Sequence, residues 1–309
     1  IAIAYATSSG VYLTYATLGG NDMNAPTLTT AAPVQLSPDT AASKTHIAVT
    51  SNGQGVVAWQ NADGSVQTML LKLDTTGGDG AHQVTDLAAV DAANVITFKD
   101  DTGAAIMTSG PFVVEAVSEN RLVLVISNKD VAGPDPSDGI VNVYLMDVDV
   151  GTANVPTFIG DANSNSPAAA DTFSITSATR PHDIVFELSL TSFKDNLAVL
   201  AVSHADATTQ YTDSRSQGTV LLLQGFNGED ATFNGADALE VVPMPSGEDG
   251  LLPLSTRQIT KVNGVHVAKL DEDRVAFMLT QLTGSQRKVV MRTAYASISV
   301  TGVWDLSLD

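Results

Sequence analysis

The sequence predicts an all-β protein built from about five repeated sheets, and three observations predict it. Helix-period patterning is nearly missing. Runs rich in Val, Ile, Leu, Thr, Tyr and Phe alternate with polar residues at period two, the spacing that sends successive side chains to opposite faces of a sheet. One order of hairpins then recurs along the chain, which carries more weight than any single strand.

The clearest copy runs from Ile47 to Leu73. Ile47 to Val49, a Ser51-Asn52-Gly53-Gln54-Gly55 turn and Val56-Val57-Ala58-Trp59 form one hairpin. Asn61-Ala62-Asp63-Gly64 is the next turn, and its Asp-Gly pair suits a tight reversal that needs a positive φ. Val66 to Leu73 is the third strand, with His82-Gln83-Val84 expected as a fourth, outer one. Val113 to Val117, Leu122 to Ile126 and Ile140 to Val148 repeat the order. So do Ile184 to Leu190, Leu197 to Val202 and Thr219 to Phe226. The last copy is Val265 to Leu270, Arg274 to Leu279 and Lys288 to Tyr295, with Val303 to Leu308 outside it. Ile1 to Ala6 and Val11 to Leu18 match the second and third strands only, so the opening unit is expected to lack its inner strand.

Second strands begin near residues 1, 56, 122, 197 and 275, at spacings of about 55, 66, 75 and 78 residues. Units over roughly 1–40, 41–87, 111–160, 180–242 and 262–309 follow, with an extra hairpin in 92–110 (Val95 to Phe98, Ala104 to Met107). Copies in this order around a shared axis predict a single β-propeller-like domain of about five blades, with long loops decorating one face. Tandem β-sandwiches are the competing architecture. The stretch Ser51-Asn52-Gly53-Gln54-Gly55-Val56-Val57-Ala58-Trp59 resembles degenerate β-propeller blades of bacterial secreted and surface proteins, which carry Asn/Asp-Gly-x-Gly before a Val-Val-x-Trp strand. That resemblance implies an architecture and leaves activity open. The sialidase Asp-box is not met, and Trp304-Asp305 stands without the partner motif of a WD repeat.

Composition narrows the function classes. Asp and Glu outnumber Lys and Arg 34 to 15, a formal net charge of −19, which repels phosphate backbones and anionic headgroups. Nucleic acid is therefore not expected as a partner, and no apolar run reaches the roughly 18–20 residues that membrane insertion by a helix requires. Charged residues are only 16% of the chain, so it is not a disordered polyanion. Its Thr, Ser, Asn, Asp and Gly surface fits an extracellular or cell-surface location. Cysteine is absent, which argues against a small disulfide-stapled domain. The chain opens at Ile1 without a Met or basic leader, so a processed or partial start is expected.

Three of the five histidines, His46, His182 and His266, open inner strands of different units and are candidate channel-lining residues. Converging imidazoles can ligate a transition metal, whereas a repeated structural histidine bonds the backbone of the neighbouring unit. Phe112 or Val113 takes the equivalent place in the remaining unit, which breaks a full ring. For calcium, Asp161, Asn163 and Asn165 have the alternating start of an EF-type loop, without its central Gly or distal Glu. Asp130, Asp135 and Asp138, and Asp271 with Asp273, are further acidic loops.

No nucleophile elbow, phosphate loop, dinucleotide fingerprint or zinc spacing occurs. Glu115, Glu187 and Asp183 fall on inner strands, where carboxylates serve either as acids and bases or as caps for neighbouring strands. Trp59, Tyr144, Tyr211 and Phe226 are the aromatics a sugar site has to draw on. The sequence thus predicts a non-catalytic extracellular structural, adhesive or assembly protein that acts through protein partners or self-assembly. The alternative is a carbohydrate-binding or carbohydrate-active propeller, a lectin or glycoside hydrolase that binds a glycan.

Overall fold

A computed structural model of the chain describes residues 2–19, 27–30, 32–50, 54–72, 95–98, 105, 107–108, 110–118, 121–128, 139–147, 157–159, 171–174, 183–194, 197–206, 216–224, 240–242, 252–254, 261–283, 286–298 and 304–308. They form an all-β protein of five small antiparallel sheets in chain order. Sheet 1 holds β1 (Ala2–Thr7), β2 (Gly10–Gly19), β3 (Thr27–Thr30) and β4 (Val34–Ser37). Sheet 2 holds β5 (Ser43–Val49), β6 (Gln54–Gln60), β7 (Val66–Lys72) and β8 (Val95–Thr97). In sheet 3, β9 (Phe112–Ala116), β10 (Arg121–Asn128) and β11 (Ile140–Asp147) are followed by β12 (Thr157–Ile159) and β13 (Asp171–Ser174), both paired with β11. Sheet 4 repeats that plan with β14 (Asp183–Lys194), β15 (Leu197–Asp206), β16 (Ser216–Gln224), β17 (Glu240–Val242) and β18 (Leu252–Pro253). Sheet 5 is the plain meander β19 (Lys261–Lys269), β20 (Arg274–Thr283), β21 (Gln286–Ile298) and β22 (Trp304–Leu308).

The reason these segments are strands, and strands of stacked sheets, lies in their alternation. Along β10, Leu122, Leu124 and Ile126 face sheet 2, packing with Val56, Ala58, Val66 and Phe98. The interleaved Val123 and Val125 face the other way, toward Val185, Leu200 and Val202 of sheet 4. A strand covered on both faces reads as an unbroken apolar run, and Leu122-Val123-Leu124-Val125-Ile126 is one. Sheet 4 divides likewise, its second face (Phe193, Val199, Ala201, Leu222) meeting Val275, Phe277 and Leu279 of sheet 5. Val11, Leu13 and Leu36 of sheet 1 pack on Val57, Trp59 and Met69 of sheet 2. Among the described residues four apolar layers thus join five sheets, each layer shared by two consecutive sheets.

Turns follow the residues that permit them. Gly64 takes φ 90° in the Asn61–Gly64 reversal, as the Asp-Gly pair requires, and its N–H donates to the Asn61 carbonyl at 3.0 Å. Gly55 has no room for a side chain, because a Cβ there meets the Ala48 carbonyl oxygen at 2.3 Å.

Two expectations are corrected. The first strands of successive sheets lie side by side, β5 against β9, β9 against β14 and β14 against β19, and β1 lies against β5 in the same relation. β1 therefore occupies the first-strand place, and the strand expected to be missing there is present. Sheet 1 is instead shallow on its other side, where β3 and β4 both pair directly with β2. The second correction concerns 92–110. Val95–Thr97 pairs with β7 as the fourth strand of sheet 2, and Met107 bridges Ser65, so these described residues of the expected hairpin join that sheet. The expected fourth strand at His82 to Val84 lies outside the described residues.

Candidate functional site

Among the described residues the first strands are paired along one edge, and polar side chains of the neighbouring sheet reach the other. Glu187 on β14 accepts the N–H of Val265 on β19 through Oε2 at 3.1 Å. Two residues on, Ser189 Oγ accepts the N–H of Val267 at 3.0 Å. Gly264 makes room for this carboxylate, since a Cβ there lies 2.9 Å from Glu187 Oε2. Thr45 Oγ1 on β5 donates to the Ala4 carbonyl of β1 at 3.2 Å, and Lys44 Nζ donates to the Gly110 carbonyl at 2.7 Å. Glu115 on β9 is bonded by the backbone of Ser192 on β14, and burial pushes its carboxyl up to about 7 against that bond. The same period-two spacing that fills the apolar layers therefore places side chains where they blunt strand edges.

Replacing Glu187 with Ala strands the Val265 N–H at a part-buried edge, and leaving such a donor unpaired costs about 1–3 kcal/mol. A lower urea midpoint at unchanged slope is the expected result, with Glu187→Gln restoring most of it. An unshifted midpoint for Glu187→Ala overturns the capping role.

The histidines occupy two different environments. His46 on β5 is half-buried and packs edge-on to Phe112 of β9, ring centroids 4.8 Å apart. Burial, and then the charge of Lys44, lowers its pKa, which leaves the ring neutral at pH 7. Phe112, which takes the histidine's place in the third unit, is thus that histidine's packing partner. His266 on β19 is exposed, with Nε2 3.7 Å from Glu187 Oε1. At such exposure this pair contributes little. His182 lies outside the described residues, and Asp183 is placed at the start of β14. Among the described residues no three His, Asp or Glu side chains gather as metal ligands.

Asp161, Asn163, Asn165, Asp130, Asp135 and Asp138 also lie outside the described residues. Asp271 engages Arg274, whose Nε donates to Oδ2 at 2.6 Å, and Oδ1 accepts the Asp273 N–H. Of the aromatics, Trp59 and Tyr144 are fully buried in apolar layers, while Tyr211 and Phe226 are not among the described residues.

Sequence reasoning missed the outer face of sheet 5. Val275, Phe277, Leu279, Ala294 and Leu306 fill the layer against sheet 4. The opposite face carries His266, Met278 and Met291 in one cross-strand row, flanked by Val289 beside Thr280 and by Tyr295 beside Arg274. Met291 is 71% exposed, Val289 66%, Met278 48% and Tyr295 41%. Scattered exposed apolar residues are ordinary, whereas these are adjacent on one sheet face. The signal was present in Val289-Val290-Met291, where residues of both parities are apolar at a place with only one covering sheet.

No family model matches the chain, and no curated protein matches it. Among solved structures, the chain is similar to a protein of unknown function from Dyadobacter fermentans, at 9% identity and a TM-score of 0.36, covering 99% of this chain and 92% of that one. It is also similar to the α-L-arabinofuranosidase Arb93A of Fusarium graminearum, solved with an iminosugar inhibitor, at 9% identity and a TM-score of 0.26 over 83% and 94% of the two chains. No helix among the described residues is long and apolar enough to cross a membrane.

Proposed function

We propose that the five sheets are the blades of an open β-propeller whose role is structural or adhesive, outside the cell, and exerted through protein–protein contacts without catalysis. The observation that carries this reading is the uncovered face of sheet 5. Met, Val and Tyr side chains stand there on a sheet whose other face is packed against sheet 4. A partner surface that covers Met278, Val289 and Met291 gains about 25 cal/mol for each Å² of apolar area removed from water. Methionine suits such a face because its unbranched thioether adapts to the surface it meets. The carboxylates on first strands fit this role too. Glu187 and Glu115 are engaged with backbone groups of the next sheet, which is work for the scaffold.

Incubation with a panel of polysaccharides, followed by assay of reducing ends, is expected to release nothing above buffer. Sustained release by the wild-type chain, abolished by substitution of one carboxylate, overturns the non-catalytic reading and favours a glycoside hydrolase.

A further inference from the structure

Among the described residues, sheets 2, 3 and 4 are buried on both faces by their neighbours, which leaves one face of sheet 1 and one of sheet 5 without a covering sheet. At one end is the Met278, Val289 and Met291 face of sheet 5. At the other is the outer face of sheet 1. There Ile3 is 40% exposed, and Tyr5 and Tyr12, directly opposite in register, stack with centroids 5.7 Å apart. The geometry points to pairing of these two faces between copies of this chain, sheet 5 of one covering sheet 1 of the next. The inference rests on the protein-contact reading and names its partner as a second copy.

Three features select that occupant. The first is continuity: face-on packing of consecutive sheets is the contact the chain already makes four times internally, and head-to-tail pairing adds a fifth of the same kind. The second is side-chain chemistry. Methionine sulfurs on one face meet stacked tyrosine rings on the other, a pairing favourable beyond the area it buries. Arg274 already lies 5.8 Å from the centroid of the Tyr295 ring, so sheet 5 uses cation–aromatic contact within itself. The third is charge. Residues 1–43 contain no Lys or Arg and two Asp, whereas 261–308 carry six Lys and Arg against four Asp and Glu, in a chain of net charge −19. The one sheet with a cationic balance stands at one end, and the stretch without cations at the other. Like ends repel relative to unlike ends, which favours head-to-tail over face-matched pairing.

Because the two patches differ, the contact is heterologous and propagates. Sedimentation velocity across a concentration series is expected to show wild-type species growing past the dimer. Met291→Asn and Ile3→Lys, each at an exposed position, are expected to weaken association at least tenfold while leaving the far-UV spectrum unchanged, with the melting midpoint also unchanged at concentrations where the wild-type chain is itself monomeric. Mixed in equal amounts, the two variants retain one intact face each and are expected to form a 1:1 dimer that stops there. Self-association that persists in both single variants, or a mixture that stays monomeric, overturns head-to-tail pairing. A wild-type chain that is monomeric at every concentration, yet holds a foreign protein through Met278 and Met291, overturns self-pairing and leaves the protein-contact reading standing. A monomer that holds none overturns both.

Discussion

Replacing Trp59 with Ala is expected to lower the free energy of unfolding by about 3–5 kcal/mol, a large share of the roughly 5–15 kcal/mol that holds a typical domain together. Trp59 is fully buried in the layer between sheets 1 and 2, among Val11, Leu13, Leu36 and Met69. Truncation at Cβ removes the transfer free energy of the indole and leaves a cavity that two rigid sheets cannot close. The indole has a second task. Its Nε1 donates to Asn61 Oδ1 at 3.0 Å, and the Asn61 amide donates in turn to Ser65 Oγ at 3.1 Å. Asp63 Oδ1 accepts both the N–H and the hydroxyl of Ser65, which completes the reversal. Core and turn are therefore linked through one side chain. Urea unfolding followed by circular dichroism measures the loss without relying on the fluorophore removed. Trp59→Phe keeps most of the packing and drops the N–H donor, so about 1–2 kcal/mol is expected for it. A loss below about 1 kcal/mol for the Ala variant overturns the view that this ring seals the layer.

The second large effect is a gain. Glu115→Gln is expected to stabilise the protein above pH 7 by about 1–3 kcal/mol and to leave it unchanged near pH 4. Burial raises the Glu115 carboxyl from 4.5 to about 7, with the Ser192 backbone bond opposing. A group whose pKa is higher folded than unfolded holds its proton in the native state and releases it on unfolding. Its contribution is fully present below 4.5 and is lost as pH rises through about 7. Each tenfold gain in proton affinity on folding is worth ~1.4 kcal/mol, which sets an upper bound of roughly 3 kcal/mol, reduced by the solvent that still reaches the side chain. Gln is neutral throughout and keeps a carbonyl oxygen for the Ser192 N–H. Unfolding free energies for both proteins at pH 4, 6 and 8 isolate the effect, since the remaining acidic groups are common to both. A difference that does not change with pH overturns the assignment.

How much of this was legible in the sequence depended on whether the signal was local. The Asn61–Gly64 reversal is written in four consecutive residues, and its Gly64 φ follows from chemistry alone. The hairpins around it, and those at Leu122 and Leu197, follow from period-two alternation. Two-sided burial is visible in Leu122 to Ile126, whereas Arg274-Val275-Ala276-Phe277 alternates as a strand with a single covered face does. The place of β1 was not legible, because a strand's rank in its sheet depends on what lies beside it, and β5 is some forty residues away. Nor was the pairing of β8, a strand the sequence did announce, whose three residues join β7 across a long intervening segment. The carboxylates show the same limit. Glu115 and Ser192 are separated by 77 positions and Glu187 and Val265 by 78, so no spacing within a motif announces that one caps the other. A sequence displays which residues are polar on an apolar strand. Only the packing shows whose backbone they serve.

The sharing of each apolar layer by just two consecutive sheets governs how the protein comes apart. Its stability is close to a sum of nearest-neighbour couplings, as in linear repeat proteins, and the terms are unequal. Among the described residues, sheets 2, 3 and 4 are each anchored by two couplings, and sheets 1 and 5 by one each. Cooperativity is therefore expected to weaken toward sheets 1 and 5, with sub-global opening beginning there. Amide protons of β10 and β15 are expected to exchange only on global unfolding, and those of β21 through partial openings that leave the centre intact, as native-state hydrogen exchange would measure. Whatever covers an end face supplies the missing coupling, so occupancy of that face and slow exchange in β21 rise together.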